Sequence, residues 1–472
     1  MANGVRMTVV TDNASVSQTS ENSDADVVQS GDRNRATLTQ GRAASNPNQT
    51  NSQEALLVQS GSDNTILAAQ SGSSGDLNVL QSGNFNTATV SQVGFDNSAG
   101  DNDALVGITQ SGDDNDAFVN QTGQLSEATI NQGGNLNLAT INQSVNNAPN
   151  PPGGNDPRVA TATINQSGDD NDSTINQNGP GTNVVSARLM TATSTQNGND
   201  NDSTITQTNT LVNAAASENA ATVTQNGNDN GSIVSQNGIS LTATVLQNGD
   251  DSDSTVTQSG DGSSASVTQS GLNQSATTTQ AGIDNTSAIS QTQSDNAAVV
   301  SQNGTGNNSI VNQNGDKSFA AGISQVFVDQ IGTNNGSTVN QVGDGPNLVD
   351  VSQNGTSNVS NVAQLVNDGT GNSATVDQTG IGNASTVTMG NVLFSDRNTV
   401  SVTQEGNTNT SFFTVNGFDN EATVEQLADG NLSTIIQQGT GHTADVTQSS
   451  DGNISTVNQG GIGNTATVTQ GM

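Results

Sequence analysis

The sequence predicts an all-β chain folded as a two-sided β-solenoid, an amyloid-like stack of strand–turn–strand rungs with two eleven-residue units per rung. Three observations carry this. Glutamine recurs every eleven residues at Gln225, Gln236, Gln247, Gln258, Gln269, Gln280, Gln291, Gln302 and Gln313. Two places after each comes glycine, with Gln293 the exception. Seven places on stands a small residue (Ser232, Ala243, Ser254, Ala265), and nine places on a β-branched one (Val234, Val245, Val256, Val267).

Small residue, β-branched residue and glutamine alternate with period two, so they share one face of a strand; the glycine and the Asn or Asp residues after it mark a turn. A strand this short buries nothing alone, and stability must come from stacking equivalent units. If consecutive strands face each other across a narrow core, two units complete a rung of about 4.8 Å rise. Glutamines on that inner face then need partners, which stacked amides supply to one another in ladders along the axis. The expected ladder comprises the nine glutamines above and Gln426, Gln437, Gln448, Gln459 and Gln470.

Composition alone points elsewhere. The chain of 472 residues has a net charge of -35, 29% hydrophobic and 2% aromatic residues, and no Cys, Trp or Tyr, which excludes a conventional globular core and would otherwise predict disorder. Fixed spacing overrules that reading, because a disordered chain has no reason to keep a residue type in register. The basic residues Arg6, Arg33, Arg35, Arg42, Arg158, Arg188, Lys317 and Arg397 are scattered among forty-three acids, so no patch tracks phosphates and nucleic acid is not a partner. No stretch is long and apolar enough to cross a bilayer, and the opening Met1-Ala2-Asn3-Gly4-Val5-Arg6 lacks the apolar segment of a secretory signal.

Taken in order, Met7 stands where a first glutamine is expected, followed by Gln18, Gln29 and Gln40. The spacing resumes at Gln59, Gln70, Gln81 and Gln92, then at Gln110, Gln121, Gln132 and Gln143. The Pro-rich 148–154 cannot be ladder strand, since proline has no N–H to give. Pairs at Gln166 and Gln177 and at Gln196 and Gln207 precede the regular run, and beyond Gln313 the spacing loosens through Gln330, Gln341, Gln353, Gln364 and Gln378. Met389 and Val415 take glutamine positions either side of Gln404, which marks those positions as inward-facing. The chain reads as one solenoid over 1–472 with loop insertions near 41–55, 94–104, 146–160, 180–190, 209–217, 316–326, 366–370 and 391–397. Counting units places the first five insertions at one kind of corner and the later ones at the other.

Segments such as 459–470, with Gln459, Gly461, Asn464, Ala466 and Gln470 in place, resemble the curlin repeat. The resemblance covers nearly all of the chain outside the insertions. It implies a β-solenoid subunit of curli, the secreted amyloid fibres of bacterial biofilms, with the Gln, Gly, Asn and Ala of each repeat structural. It also implies a nucleator subunit and an outer-membrane secretion channel as partners, and an extracellular or cell-surface location. The many repeats, the large insertions and the missing amino-terminal targeting segment depart from that pattern and weaken the inference of a bulk subunit exported by the usual route.

Sites of chemistry are few. His442, the only histidine, sits at the turn-asparagine position five places after Gln437 and reads as a substituted turn residue, since no Cys or second His completes a dyad or metal set. No aromatic pocket accompanies the turn carboxylates, so hydrolysis is not expected and no catalytic residue is assigned. If alternate turns stack, Asp170, Asp200, Asp229 and Asp251 form one ladder with Asp172, Asp202 and Asp253 beside it. Like charges about 4.8 Å apart repel by roughly 0.9 kcal/mol even at the dielectric of water. Calcium would relieve this, which makes these seven residues the candidate metal ligands and a calcium-binding extracellular solenoid the first alternative. The plainer reading is charge that keeps solenoids soluble and apart, and it is preferred. Outward Thr pairs (Thr222 and Thr224, Thr255 and Thr257, Thr277 and Thr279) suggest an ice-binding solenoid as a second alternative, but the array breaks at Leu246, Ala288 and Ile310. Assembly head to tail into fibres is the expected behaviour.

Overall fold

The computed structural model of the chain describes residues 4–9, 12–19, 23–41, 52–72, 74–94, 105–123, 126–145, 160–179, 188–209, 217–315, 322–343, 345–365, 371–390 and 395–471, and every structural statement below concerns these. They form thirty-eight strands and no helix, from β1 (Gly4–Val9) to β38 (Thr465–Gln470). Pairing is parallel and links each strand to the next but one. β10 (Asp116–Gly123) lies between β8 (Thr87–Gly94) and β12 (Leu138–Val145), and β11 (Ser126–Gly133) lies between β9 (Leu105–Ser111) and β13 (Ala160–Ser167). The chain therefore alternates between two sheets, and each rung is two strands.

Two compact units divide it, Met1–Leu246 and Gln247–Met472, with β19 (Thr242–Asp250) running across the division. Each unit is a two-sided solenoid. In the first, Gln121 pairs with Gln92 and Gln143; in the second, Gln280 pairs with Gln258 and Gln302. Register is fixed by burial, because a slip of one residue would turn every inward side chain outward.

The inner face is the one the alternation marks. In β36 (Thr443–Gln448), Ala444, Val446 and Gln448 are buried while the residues between them are not. The β-branched layer differs between units. In the first it mixes Leu38, Leu57, Ile108, Ile130, Ile141, Ile164 and Ile175 with valines such as Val79 and Val119, and in the second it is mainly valine, as at Val256, Val267, Val300 and Val311. Ile66 stands instead in the small-residue column, between Ala36 and Ala88. Met389 and Val415 are fully buried in the glutamine column, in register with Gln364 below and Gln437 above.

The corners are tight because the backbone of one rung rests on the next. Gly112 has φ 100°, and a Cβ there would lie 2.0 Å from the carbonyl oxygen of Gly134; Gly134, with φ 100°, stands in the same relation to Gly168 at 2.1 Å. Two residues further on the chain turns left-handed, at Asp63, Asp114, Asp170, Asp200 and Asp229 among others. Asn and Asp tolerate this region better than other residues with a Cβ. Gln293 stands in the glycine column with φ 74°. Gln293→Gly is therefore expected to stabilise the second unit by about 1 kcal/mol, read from the denaturation midpoint, by removing a strained side-chain conformation.

One expectation is corrected. Met7 does not take the glutamine position: it pairs with Val27, and Val9 pairs with Gln29. The link from β1 to β2 (Asn13–Gln18) is shorter than in the later units, so counting eleven back from Gln18 lands two residues early. The insertions named from sequence fall for the most part outside the described residues; β5 (Ser52–Ser62), β13, β15 (Arg188–Asn197), β17 (Ser217–Asn226) and β26 (Ser324–Thr333) begin within five of them. From β3 (Asp24–Asp32) onward, the undescribed stretches of the first unit each follow an even-numbered strand, and those of the second unit between strands each follow an odd-numbered one.

Candidate functional site

A stacking surface is repeated at every rung, and it is built of three side-chain columns. The glutamine column runs through the core. Gln132 Nε2 donates to Oε1 of Gln166 at 3.0 Å and to the carbonyls of Asp116 at 3.0 Å and Asn137 at 2.9 Å, and its Oε1 accepts from Gln110 Nε2 at 2.9 Å. The amide thus ties successive rungs together and also bonds to the backbone of the facing sheet.

Each glutamine expected in the ladder occupies this column. Gln225 accepts from Gln196 at 3.0 Å and Gln236 from Gln207 at 2.8 Å. In the second unit Gln247 donates to Gln269, Gln269 to Gln291 and Gln291 to Gln313; Gln258 donates to Gln280 and Gln280 to Gln302, all at 2.8–3.0 Å. Near the end Gln426 donates to Gln448 and Gln448 to Gln470, and Gln437 donates to Gln459. At Val415 the column is cut, and Oε1 of Gln437 is buried without a partner.

The second column is the turn asparagine. Asn64 Nδ2 donates to Oδ1 of Asn34 and to the carbonyl of Gly83, and Oδ1 of Asn64 accepts the backbone N–H of Asn86 at 3.0 Å. His442 stands in this column. It is fully buried, its backbone N–H donates to Asn420 Oδ1 at 3.0 Å, and its Nδ1 accepts the backbone N–H of Asn464 at 3.2 Å. With Nδ1 accepting, the proton sits on Nε2, which is 3.2 Å from the carbonyl of Gln438. The imidazole thus reproduces the asparagine's bonds.

The third column was not marked in the sequence. At the outer corner of the first unit, backbone N–H groups donate to the next rung's side chain: Asn84 to Asp113 at 2.8 Å, Asp113 to Asn135 at 3.0 Å, Asn135 to Asp169 at 2.8 Å and Asp169 to Asn199 at 2.8 Å. Acid and amide alternate here, so each carboxylate has amides for neighbours and receives an N–H.

Of the candidate metal ligands, Asp170, Asp200 and Asp229 take the left-handed position of successive corners in the first unit, with φ 58°, 56° and 55°; Asp251, with φ 55°, belongs to the second unit. Asp172 and Asp202 are in register, but the next residue in that column is Gly231, and Asp253 pairs with Ser275. Among the described residues no three carboxylate or histidine groups converge to hold a metal ion.

Electrostatics act in two directions. Burial raises the pKa of Asp172 above its ordinary value, with the charge of Asp202 adding to it, and burial raises Asp202 likewise. In the second unit burial raises Asp350, helped by Asp329, and raises Asp377, helped by Glu405 and Asp350. Opposed to these, a hydrogen bond from Arg33 lowers Asp63, and one from Arg397 lowers Asp419. A carboxyl with a raised native pKa costs stability when ionised, and the cost is relieved as pH falls through that value toward the unfolded one. A lowered carboxyl contributes stability that is lost only below its ordinary range. The denaturation midpoint is therefore expected to rise as pH falls from neutral toward the ordinary carboxylate range and to fall below it. Asp172→Asn/Asp377→Asn should flatten the rise.

Comparison with known families agrees with this geometry over part of the chain. The curlin associated repeat matches at residues 72–100, 86–123, 100–134, 233–260, 347–380, 396–427 and 419–449. The chain carries curlin repeats. Their family is one of structural fibre subunits and not of enzymes. The curlin repeats fall in both units, and each match spans two or more strands, so each includes strands of both sheets. No curated protein matches the chain.

Proposed function

We propose that this chain is a structural subunit of extracellular, curli-like amyloid fibres in a biofilm matrix, assembling by head-to-tail stacking of its solenoid. The observation that carries the reading is the identity of successive joints. Apart from interruptions such as Val9, Met389, Val415 and Gln293, each rung offers the next the same kinds of column, as between Gln437 and Gln459 and between Gln448 and Gln470. A rung of a second copy meets the same surface, and a heterologous joint of this kind propagates without closing. The stretches near 41–55, 146–160 and the other insertion points are read as loops that such a stack tolerates at its corners. By the family's pattern, a nucleator subunit and an outer-membrane channel are the expected partners, and the cell surface the expected location.

Incubating the purified full chain and following it by electron microscopy tests this. Unbranched fibres with spacings near 4.8 and 10 Å are expected. A protein that stays monomeric at high concentration for days would contradict it.

A further inference from the structure

One corner of the second unit carries four successive uncharged turns. β24 (Asn296–Thr305), β26, β28 (Leu348–Thr356) and β30 (Ser373–Ile381) each run on past their glutamine and round the corner, so that Thr305, Thr333, Thr356 and Ile381 lie in register. The backbone is bonded rung to rung there: Asn334 N–H donates to Thr305, Ser357 to Thr333 and Gly382 to Thr356, at 2.8–2.9 Å. This makes a third, narrow β face along the axis.

In a chain with forty-three acids, the four corners 302–308, 330–337, 353–359 and 378–384 contain no charged residue. Ile331 and Ile381 are 43% and 56% exposed on them. Asp284 lies one rung before this strip and Glu405 one rung after it. The first unit offers no counterpart, since its regular corner carries Asp63, Asp114, Asp170, Asp200 and Asp229. The undescribed stretches 316–321, 344, 366–370 and 391–394 all follow odd-numbered strands, and so join the chain at the other corner of this unit.

We propose that this strip is a lateral association edge, and that its occupant is a second copy of this chain lying side by side. Two arguments select that occupant. Copies with a net charge of -35 repel, and they approach at least cost where both present no charge. Along the corner itself the two middle turns stand two rungs, about 10 Å, from the nearer of Asp284 and Glu405, beyond the screening length of about 8 Å in physiological salt. Asp329, Asp350 and Asp377 lie before the glutamines of these strands, on the sheet and not on the corner. The strip also repeats with the rung spacing, and another copy of the same array matches that spacing. Gly, Thr and Ile at such an edge allow close, dry contact of the kind found between stacked sheets. This edge does not depend on end-on assembly.

The test is Thr333→Asp/Thr356→Asp in the full chain. Asp261, Asp429 and Asp451 occupy the equivalent position naturally, so the fold accepts the change. The control, Thr434→Asp/Thr456→Asp, adds the same charge to the outer face of a sheet. Wild type and control should form paired or bundled filaments, and the corner variant single filaments of the same length. In sedimentation of protein that has not formed filaments, the corner variant should raise the side-by-side dissociation constant about tenfold or more. If wild type forms no filaments but gives dimers that the corner variant alone abolishes, the edge stands and the end-on reading fails. Single wild-type filaments with monomeric soluble protein, or equal effects of the two variants, would overturn the edge.

Discussion

Gln132→Leu is expected to destabilise the first unit by about 3–5 kcal/mol, measured as a fall in the denaturation midpoint at unchanged slope. The leucine fills the volume but breaks the column on both sides. Nε2 of Gln110 loses an acceptor, and Oε1 of Gln166 and the carbonyl of Asn137 lose a donor, all in the buried interior. Hydrogen bonds exchanged for apolar contact as a pair cost far less than one partner removed alone. Met389 and Val415 are such a pair: adjacent in the column, they spread the two broken joints over two apolar residues. Gln132→Leu/Gln166→Leu should accordingly cost clearly less than twice the single change, a non-additivity that a double-mutant cycle resolves.

Gly112→Ala should cost at least about 3 kcal/mol. The obstacle is backbone: the new methyl would sit 2.0 Å from the carbonyl oxygen of Gly134, which cannot move without opening the rung joint. Gly441→Ala provides the contrast. It has φ 68° and nothing within 4 Å of a Cβ, so only the left-handed conformation is penalised, by about 1–2 kcal/mol. Equal losses at the two positions would mean that rungs are not stacked this closely at Gly112.

Much of this could be read from the chain because one constraint repeats. Glutamine, glycine and the alternation of Ala or Ser with Val report burial and turn at every unit, and together they specify the two-strand rung. Other features resist such reading because they depend on which residues meet across rungs. Asn135 and Asp169 are thirty-four residues apart, and only the observed register brings the N–H of one to the carboxylate of the other. The sequence marks the acidic turns but not that their neighbours Asp113 and Asp169 alternate with asparagine in a column of their own, nor that Gly231 interrupts the column begun by Asp172 and Asp202. The shift at Met7 has the same origin: a short link between β1 and β2 changes the count without changing the inward pattern. His442 was readable as a turn residue because its position, five after Gln437, is that of asparagine.

The central claim is that the joint between copies repeats the joint between rungs. Electron cryomicroscopy of the fibres at side-chain resolution tests it most directly. The account predicts one column of rungs about 4.8 Å apart, two strands to the rung, with the glutamine ladder continuing from one copy into the next. Fibres in which each copy lies flat in a single layer, or in which the ladder stops at every joint, would contradict it.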